Sequence, residues 1–284
     1  MALWFEESAS PAHRLKWKIT QQLFSGKSRY QHIQVLDTEQ FGPSLVLDGI
    51  MQTTSGDEFI YHEMLALVPL TAHPHPETVL IIGGGDGGLA REVLKYPAVK
   101  QVTLVEIDRM VVEVSRRYLP THTVALDDPR LTLVEEDGSL FLDNASEGQF
   151  DVILVDSTDP EGNGPGTVLY TPEFHNKLYR ALKPDGIYVQ QTGAPFYNPE
   201  VVSMVTEDVI KKFSLCRVYW CTVPTYPGAL FTFTAGSKKY DPIHPVQDVA
   251  WETRWYTRKV HEMSFTLPPY VAHLLPKPIQ DAQS

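Results

Sequence analysis

A doubly wound α/β sheet preceded by a small antiparallel β domain over residues 1–55 is the fold class the sequence predicts, and three observations predict it. Val79–Ile82 is a run of apolar residues with the look of a strand buried on both faces, and it passes directly into Gly83-Gly84-Gly85-Asp86-Gly87-Gly88. Leu89, Val93 and Leu94 then fall at helical spacing, so strand, glycine turn and helix form the opening unit of such a sheet. Three more apolar runs, Val102–Val105, Leu131–Val134 and Val152–Val155, each end in carboxylates, as strands of one parallel sheet do when they deliver side chains to a common edge.

In chain order, Ala12–Leu23 reads as a helix. Tyr30–Leu36 and Ser44–Thr54 are alternating runs punctuated by Phe41-Gly42-Pro43 and Asp48-Gly49, which predict the antiparallel sheet ahead of the main domain, residues 56–284. Asp57 is placed to cap a helix through Phe59, Tyr61, His62, Met64 and Leu65 that ends at Pro69, with Glu58 in its first turn. Tyr61, His62 and Glu63 are consecutive, so their side chains diverge and some must leave the core face, whereas Phe59 and Met64 read as core. Beyond the glycine turn a helix is expected over Arg109–Tyr118. Residues 160–169 are too rich in Gly and Pro for regular structure and read as a loop able to close over a site. Thr171 and Pro172 start a helix that stops at Lys183-Pro184-Asp185-Gly186; a strand at Ile187–Gln191 and a helix begun by Asn198-Pro199-Glu200 follow. Cys216–Thr222 and Leu230–Thr234 form a closing hairpin, an antiparallel end to a parallel sheet.

Composition narrows the partners. With 284 residues and 43% hydrophobic composition the chain can bury a full core, and 24 basic against 35 acidic residues leave a net charge of −11. That balance disfavours nucleic acid and favours small cations, although acidity also serves solubility alone. No apolar run of membrane-spanning length and no basic-then-apolar leader is visible, so no membrane partner and a cytoplasmic location are expected. Cys216 and Cys221, the only cysteines, would face opposite ways on one strand and are not expected to bridge. His73 and His75 lie in a turn-like Ala-His-Pro-His-Pro, but no paired His/Cys spacing suggests zinc, and no metal is expected.

Gly83, Gly85 and Gly88 satisfy G-x-G-x-x-G, and Glu106 stands near the spacing of a ribose-binding acid. A dinucleotide would set its pyrophosphate on that turn, where Asp86 repels it. The loop suits a positively charged adenosyl compound better, unless Asp86 merely caps the following helix. Asp86, Glu106, Asp137 and Asp156 all fall at strand ends. Each alone is explained by the turn preference of Asp and Glu, but together they predict a carboxylate-lined site.

One family carries the same landmarks in the same order. Leu47-Asp48-Gly49 with Gln52-Thr53-Thr54, Asp57–Met64, Ile82–Gly88, Val105–Asp108, Asp127–Arg130, Asp137-Gly138, Asp156–Pro160 and Pro224-Thr225-Tyr226 resemble spermidine synthases, the polyamine aminopropyltransferases, over most of the chain. Trp4-Phe5-Glu6 and Phe265–Leu274 resemble that family's termini. The resemblance implies a Rossmann-like, class I methyltransferase-like catalytic sheet that moves an aminopropyl group from decarboxylated S-adenosylmethionine to a diamine, usually putrescine, releasing methylthioadenosine. It implies Asp156 as catalytic base. Gln31, His62, Asp86, Glu106, Asp137, Gly138 and Pro165 then map to the donor, and Tyr61, His62, Asp156, Asp159, Gln191 and Tyr226 to the acceptor. The donor is a co-substrate, so no cofactor is implied, and the chain is expected to assemble as a homodimer or homotetramer.

Two departures stand out. Residues 161–165 are longer than the family's usual loop, with Thr167 where Glu is frequent, and Ser55-Gly56 replaces the common Glu-Arg. Agmatine, cadaverine and spermidine therefore stay open as acceptors. An NAD-dependent oxidoreductase, an S-adenosylmethionine-dependent amine methyltransferase and a non-catalytic polyamine-binding homologue are the other readings of the same scaffold.

Overall fold

In the computed structural model, residues 2–160 and 164–283 are described. Five strands come first: β1 (Leu3–Ser10), β2 (His13–Lys27), β3 (His32–Thr38), β4 (Gly42–Leu47) and β5 (Ile50–Thr54), paired antiparallel in that order. The helix expected over Ala12–Leu23 is absent, because most of that stretch is β2. Its Leu15, Trp17 and Ile19 are half-buried while Arg14, Lys16, Lys18 and Thr20 are exposed, which is a period of two. Ladders on both sides fix that period: Glu6 stands opposite Lys16 and Phe5 opposite Trp17 on β1, while Gln22 faces Leu36 on β3. Cross-strand pairing outweighs local helix propensity here.

The first helix, α1 (Glu58–Ala72), is buried at every residue except Phe59, which packs against the same core. It does not stop at Pro69. The proline removes one intrahelical donor, but a helix packed on all sides keeps its course, and the His73 N–H still bonds Pro69 O at 3.0 Å. Asp57 makes no capping bond with its side chain. Its carboxylate instead accepts from Thr54 Oγ1 at 2.6 Å, Thr225 N at 2.9 Å and Thr225 Oγ1 at 2.7 Å, which ties the start of α1 to the segment carrying Tyr226.

The second sheet contains β6 (Thr78–Gly83), β7 (Gln101–Glu106), β8 (Leu131–Glu135), β9 (Phe150–Asp156), β10 (Leu182–Gln191), β11 (Leu215–Thr222) and β12 (Leu230–Ser237), in the order β11-β12-β10-β9-β6-β7-β8. From β8 to β10 the pairing is parallel; β12 pairs antiparallel with both β10 and β11, as the closing hairpin predicts. Helices α2 (Gly88–Lys95), α3 (Arg109–Tyr118), α4 (Pro120–Thr123), α5 (Gly138–Asn144), α6 (Pro172–Ala181) and α7 (Pro199–Val209) lie between strands. The alternation of Val79 and Ile81 with Leu80 and Ile82 splits two cores, one toward α1 and α2 and one toward α6 and α7. Because β6 is the middle one of the five parallel strands and its neighbours are β7 and β9, the topological switch lies beside β6, above the glycine turn.

Two boundaries differ from expectation. Helix α6 ends at Ala181, and Lys183–Gly186 is an irregularity inside β10, between the pairings of Leu182 with Phe150 and of Ile187 with Val152. Part of the expected loop, Pro165–Tyr170, is a 3-10 turn; residues 161–163 lie outside the described residues. Both cysteines are buried and unbridged. Among the described residues no helix is long and apolar enough to cross a membrane.

Candidate active site

A cleft of about 430 Å³ opens where the C-terminal ends of β6, β7, β9 and β10 meet the first sheet, and Gln31, Leu45, Leu47 and Gln52 close it from that side. Its floor is the glycine turn. Gly83 has φ +81°, and a Cβ there would lie 2.0 Å from the Asp156 carbonyl oxygen. At Gly85 a Cβ would lie 2.7 Å from Glu106, and at Gly88 2.3 Å from His62. The motif therefore lets the backbone approach the acidic groups of the neighbouring strands. Gly83→Ala combines positive φ with a backbone clash, so we expect it to cost about 3 kcal/mol or more and lower Tm by roughly 6–12 °C, measured by calorimetry.

Each carboxylate has distinct partners. Glu106 accepts from Gly85 N at 3.1 Å and Asp108 N at 2.8 Å, yet burial pushes its pKa up to about 7 against those bonds, with the charges of Asp108 and Asp156 adding to the rise. Asp137 caps α5, accepting from Ser139 N at 2.7 Å and Leu140 N at 3.3 Å, while lining the cleft beside Gly138. Asp86 accepts from Gly88 N at 2.7 Å, so it supports the start of α2 and lines the cleft at once. Gln31 also lines the cleft and donates to Asp108 Oδ2 at 2.9 Å, a bond that aims its amide.

Tyr61, His62 and Glu63 diverge as their adjacency requires, but none leaves the interior. Glu63 accepts from the backbone N–H groups of Arg254, Trp255 and Tyr256. His62 Nδ1 bonds Glu58 Oε2 at 2.6 Å, and its Nε2 lies 3.8 Å from Asp86 Oδ1. Burial works against a charge on this ring, but Asp86 and Glu58 outweigh it and raise the pKa to about 9. Burial likewise raises Glu58, whereas His62 and Arg91, the latter 2.7 Å away, hold it well below the usual carboxylate range. The cleft thus contains an imidazolium held between carboxylates.

Asp156 ends β9 beside Gly83. Tyr61 Oη donates to its Oδ1 at 2.7 Å, and Oδ2 has no hydrogen-bond partner among the described residues. Burial raises its pKa to about 6; the positive His62 opposes the rise, Asp86 adds to it, and the Tyr61 bond opposes it. Donor atoms of His62, Asp86 and Asp156 lie within 4.8 Å of one another. The protonated ring offers an N–H rather than a lone pair and so leaves a metal ion only two of the three ligands, whereas the two carboxylates can accept from an organic ammonium. Beyond Asp156, Gln191 Nε2 donates to Asp159 Oδ1 at 2.9 Å, and Tyr226 Oη donates to Gln52 O at 2.7 Å with its ring edge-on to Tyr61 at 5.8 Å.

Residues 58–246 match the family model described as the spermine/spermidine synthase domain, and residues 3–55 match the spermidine synthase tetramerisation domain. The chain belongs to the spermine/spermidine synthase family. It is 46% identical over 277 residues to a polyamine aminopropyltransferase of Bacillus cytotoxicus, covering 97% of this chain and 100% of that one. It is 45% identical over 276 residues to the polyamine aminopropyltransferase of Bacillus subtilis, covering 96% and 99%. The crystal structure of spermidine synthase from Thermotoga maritima superposes with a TM-score of 0.90 at 38% identity, covering 96% of this chain and 94% of that one. A spermidine synthase in complex with the transition state analogue AdoDATO superposes with a TM-score of 0.93 at 39% identity over the same shares. The chain is an aminopropyltransferase of the spermidine synthase type, on a Rossmann-like sheet.

Of the positions that sequence reasoning mapped to this aminopropyltransferase's site, Gln31, Tyr61, His62, Asp86, Glu106, Asp137, Gly138, Asp156, Asp159, Gln191 and Tyr226 all line the one cleft. Pro165 is the first residue of the 3-10 turn, but its side chain lies outside what is described. Sequence reasoning missed Arg91, which holds Glu58, and Asp108, which holds Gln31. Asp108 was visible in the Glu-Ile-Asp that ends a strand; nothing in the sequence pointed to Arg91, whose partner is 33 residues away.

Proposed function

We propose that the chain transfers the aminopropyl group of decarboxylated S-adenosylmethionine to putrescine, giving spermidine and methylthioadenosine. The observation that carries this reading is Asp156, a carboxylate raised to about 6 and oriented by Tyr61 within 4.8 Å of His62 and Asp86, at the switch point where an adenosyl group binds. Glu106, with Gln31, Asp137 and Gly138, takes the nucleoside; Asp86 and His62 face the aminopropyl end. Tyr61, Tyr226, Asp159 and Gln191 hold the diamine. Asp156 takes one proton from its near ammonium, and the freed nitrogen lone pair attacks the carbon beside the sulfonium. The C–S bond breaks with its electron pair going to sulfur, which leaves as a neutral thioether. The donor is a co-substrate, and neither cofactor nor metal is assigned a role.

The sign of the pH dependence follows. Asp156 must be ionised to accept a proton, so kcat/KM is expected to fall with unit slope as pH drops through about 6. A profile flat down to pH 5 would count against Asp156 as the base. The substrate assignment is tested by mass spectrometry of products made in EDTA with decarboxylated donor and putrescine, cadaverine, agmatine or spermidine. Putrescine is expected to gain one aminopropyl unit with the highest kcat/KM. Preference for another amine, use of intact S-adenosylmethionine, or activity lost to EDTA would overturn the corresponding part.

We further propose that residues 1–55 form an assembly unit and 56–284 the catalytic unit, and that the chain forms a homotetramer. The match of 3–55 to a tetramerisation domain supports this, as do Leu3 and Trp4, which are 54% and 57% exposed on β1. Light scattering that gives a monomer mass would overturn it.

A further inference from the structure

Residues 28–31, which join β2 to β3, are tied to the catalytic sheet by one buried side chain. Asp108 is 2% exposed, and both its carboxylate oxygens and its N–H are bonded. Its Oδ2 accepts from Ser28 Oγ at 2.7 Å and from Gln31 Nε2 at 2.9 Å. Its Oδ1 accepts from Met110 N at 3.1 Å and so caps α3, while its own N–H donates to Glu106 Oε1 at 2.8 Å. The turn it grips is closed on itself: Ser28 Oγ accepts from Gln31 N at 3.1 Å, and Ser28 N donates to Gln31 O at 2.9 Å. Gln31 therefore moves with Ser28, and Asp108 holds both.

Apolar packing shows where this hook acts. Ile33 and Val35 of β3 and Leu45 and Leu47 of β4 share a core with Val111 and Val114 of α3. Leu45, Leu47 and Val111 also line the cleft, beside Gln31 and Glu106. Such packing has no direction of its own. It holds the first sheet against α3, but only a directional bond fixes where an amide at the edge of that contact points. A bond to a carboxylate is the stronger kind, and here one carboxylate caps the helix and holds the turn at once.

We propose that Asp108 is the positioning residue for the donor's nucleoside: its side chain holds Gln31 from the first sheet while its N–H holds Glu106 from β7, so one residue sets the two sides of the nucleoside pocket against each other. This rests on the aminopropyl-transfer reading above and adds the residue that makes donor affinity depend on how the first sheet is docked. Glu106 bonds only the backbone N–H groups of Gly85 and Asp108, which remain whatever side chain stands at 108. The Asp108 side chain therefore acts on the donor through Gln31. By linkage, a bound nucleoside must in turn hold the 28–31 turn in place.

The test is calorimetric titration with decarboxylated donor and with methylthioadenosine at pH 8.5, above the Glu106 value of about 7, so that this carboxylate is ionised throughout. Asp108→Ser keeps a capping oxygen for α3 but is too short to reach residues 28–31. Its Kd is expected to rise about tenfold for both compounds, the size of a lost hydrogen bond to a charged group, with the amine KM unchanged and kcat within about twofold. In a Gln31→Ala background the same substitution is expected to change Kd by less than about twofold, because the group it acts through is gone. Ser28→Ala loosens the same turn from a position that does not line the cleft. It is expected to raise both Kd values about threefold, and it carries the test if Asp108→Ser does not fold. Bound methylthioadenosine is expected to slow amide hydrogen exchange at residues 28–31 in the parent and to slow it less in either variant. The proposal is overturned if both variants bind both compounds within twofold of the parent, if donor and amine KM rise together, or if the loss is confined to the decarboxylated donor. Full additivity of Asp108→Ser with Gln31→Ala also overturns it. A parent chain that binds neither compound overturns the functional reading itself, before any variant is compared.

Discussion

Asp156→Asn is expected to lower kcat by about 10³-fold while leaving donor affinity within a few-fold, as read by single-turnover kinetics and calorimetric titration. The acceptor enters as an ammonium with a pKa of roughly 10.4, and only its neutral form can attack carbon. Proton transfer to an ordinary Asp at about 3.9 would be uphill by roughly 9 kcal/mol, at about 1.36 kcal/mol per pKa unit. To Asp156, raised to about 6, it is uphill by roughly 6 kcal/mol. Burial of the base thus contributes about 3 kcal/mol to the reaction. An amide keeps the shape, can still accept from Tyr61, and leaves the Gly84 N–H to Asp156 O bond at 2.9 Å intact, but it cannot take the proton. The acid limb near pH 6 should vanish with the turnover. A variant within tenfold of the parent would mean that water or another carboxylate of the cleft, not Asp156, receives the proton.

How much of this was legible in the sequence depends on how local the cause was. The β6 strand and its glycine turn were readable because apolar continuity followed by Gly83–Gly88 has few other structural solutions, and the acids at the ends of β7 and β9 followed from strand period alone. The β2 strand departs from the expected helix even though Leu15, Trp17 and Ile19 alternate with Arg14, Lys16, Lys18 and Thr20 at strand period, a local signal that the ladders to β1 and β3 then fix. Pro69 was read as a stop because packing around α1 lies outside local pattern. The same limit applies in the site. The residue types at Asp86 and Asp156 announce charge, whereas the pairing of Glu58 with Arg91 exists only because the fold brings them together.

Asp86→Asn should have the second-largest effect, and it falls on the choice of donor. Asp86 is 13% exposed at its side chain, accepts from Gly88 N, and stands 3.8 Å from the imidazolium of His62. Decarboxylated S-adenosylmethionine ends in an ammonium alone, whereas the intact compound adds a carboxylate at that end. Two unit charges about 4 Å apart near a protein surface interact by roughly 4 kcal/mol, attractive for the first donor and offset by repulsion for the second. The isosteric amide removes both interactions. The Kd for decarboxylated donor is expected to rise about 10²-fold and that for the intact donor to change little, so the discrimination ratio collapses, as calorimetry with both compounds would read. An unchanged ratio would mean that Asp86 does not face the aminopropyl end. A second readout is internal to the protein: Asp86 is the largest influence raising His62, so the NMR titration of that ring should move down from about 9 in the variant. Its charge would then be lost at a lower pH than in the parent, which ties the cation held at α1 to the carboxylate of the glycine turn.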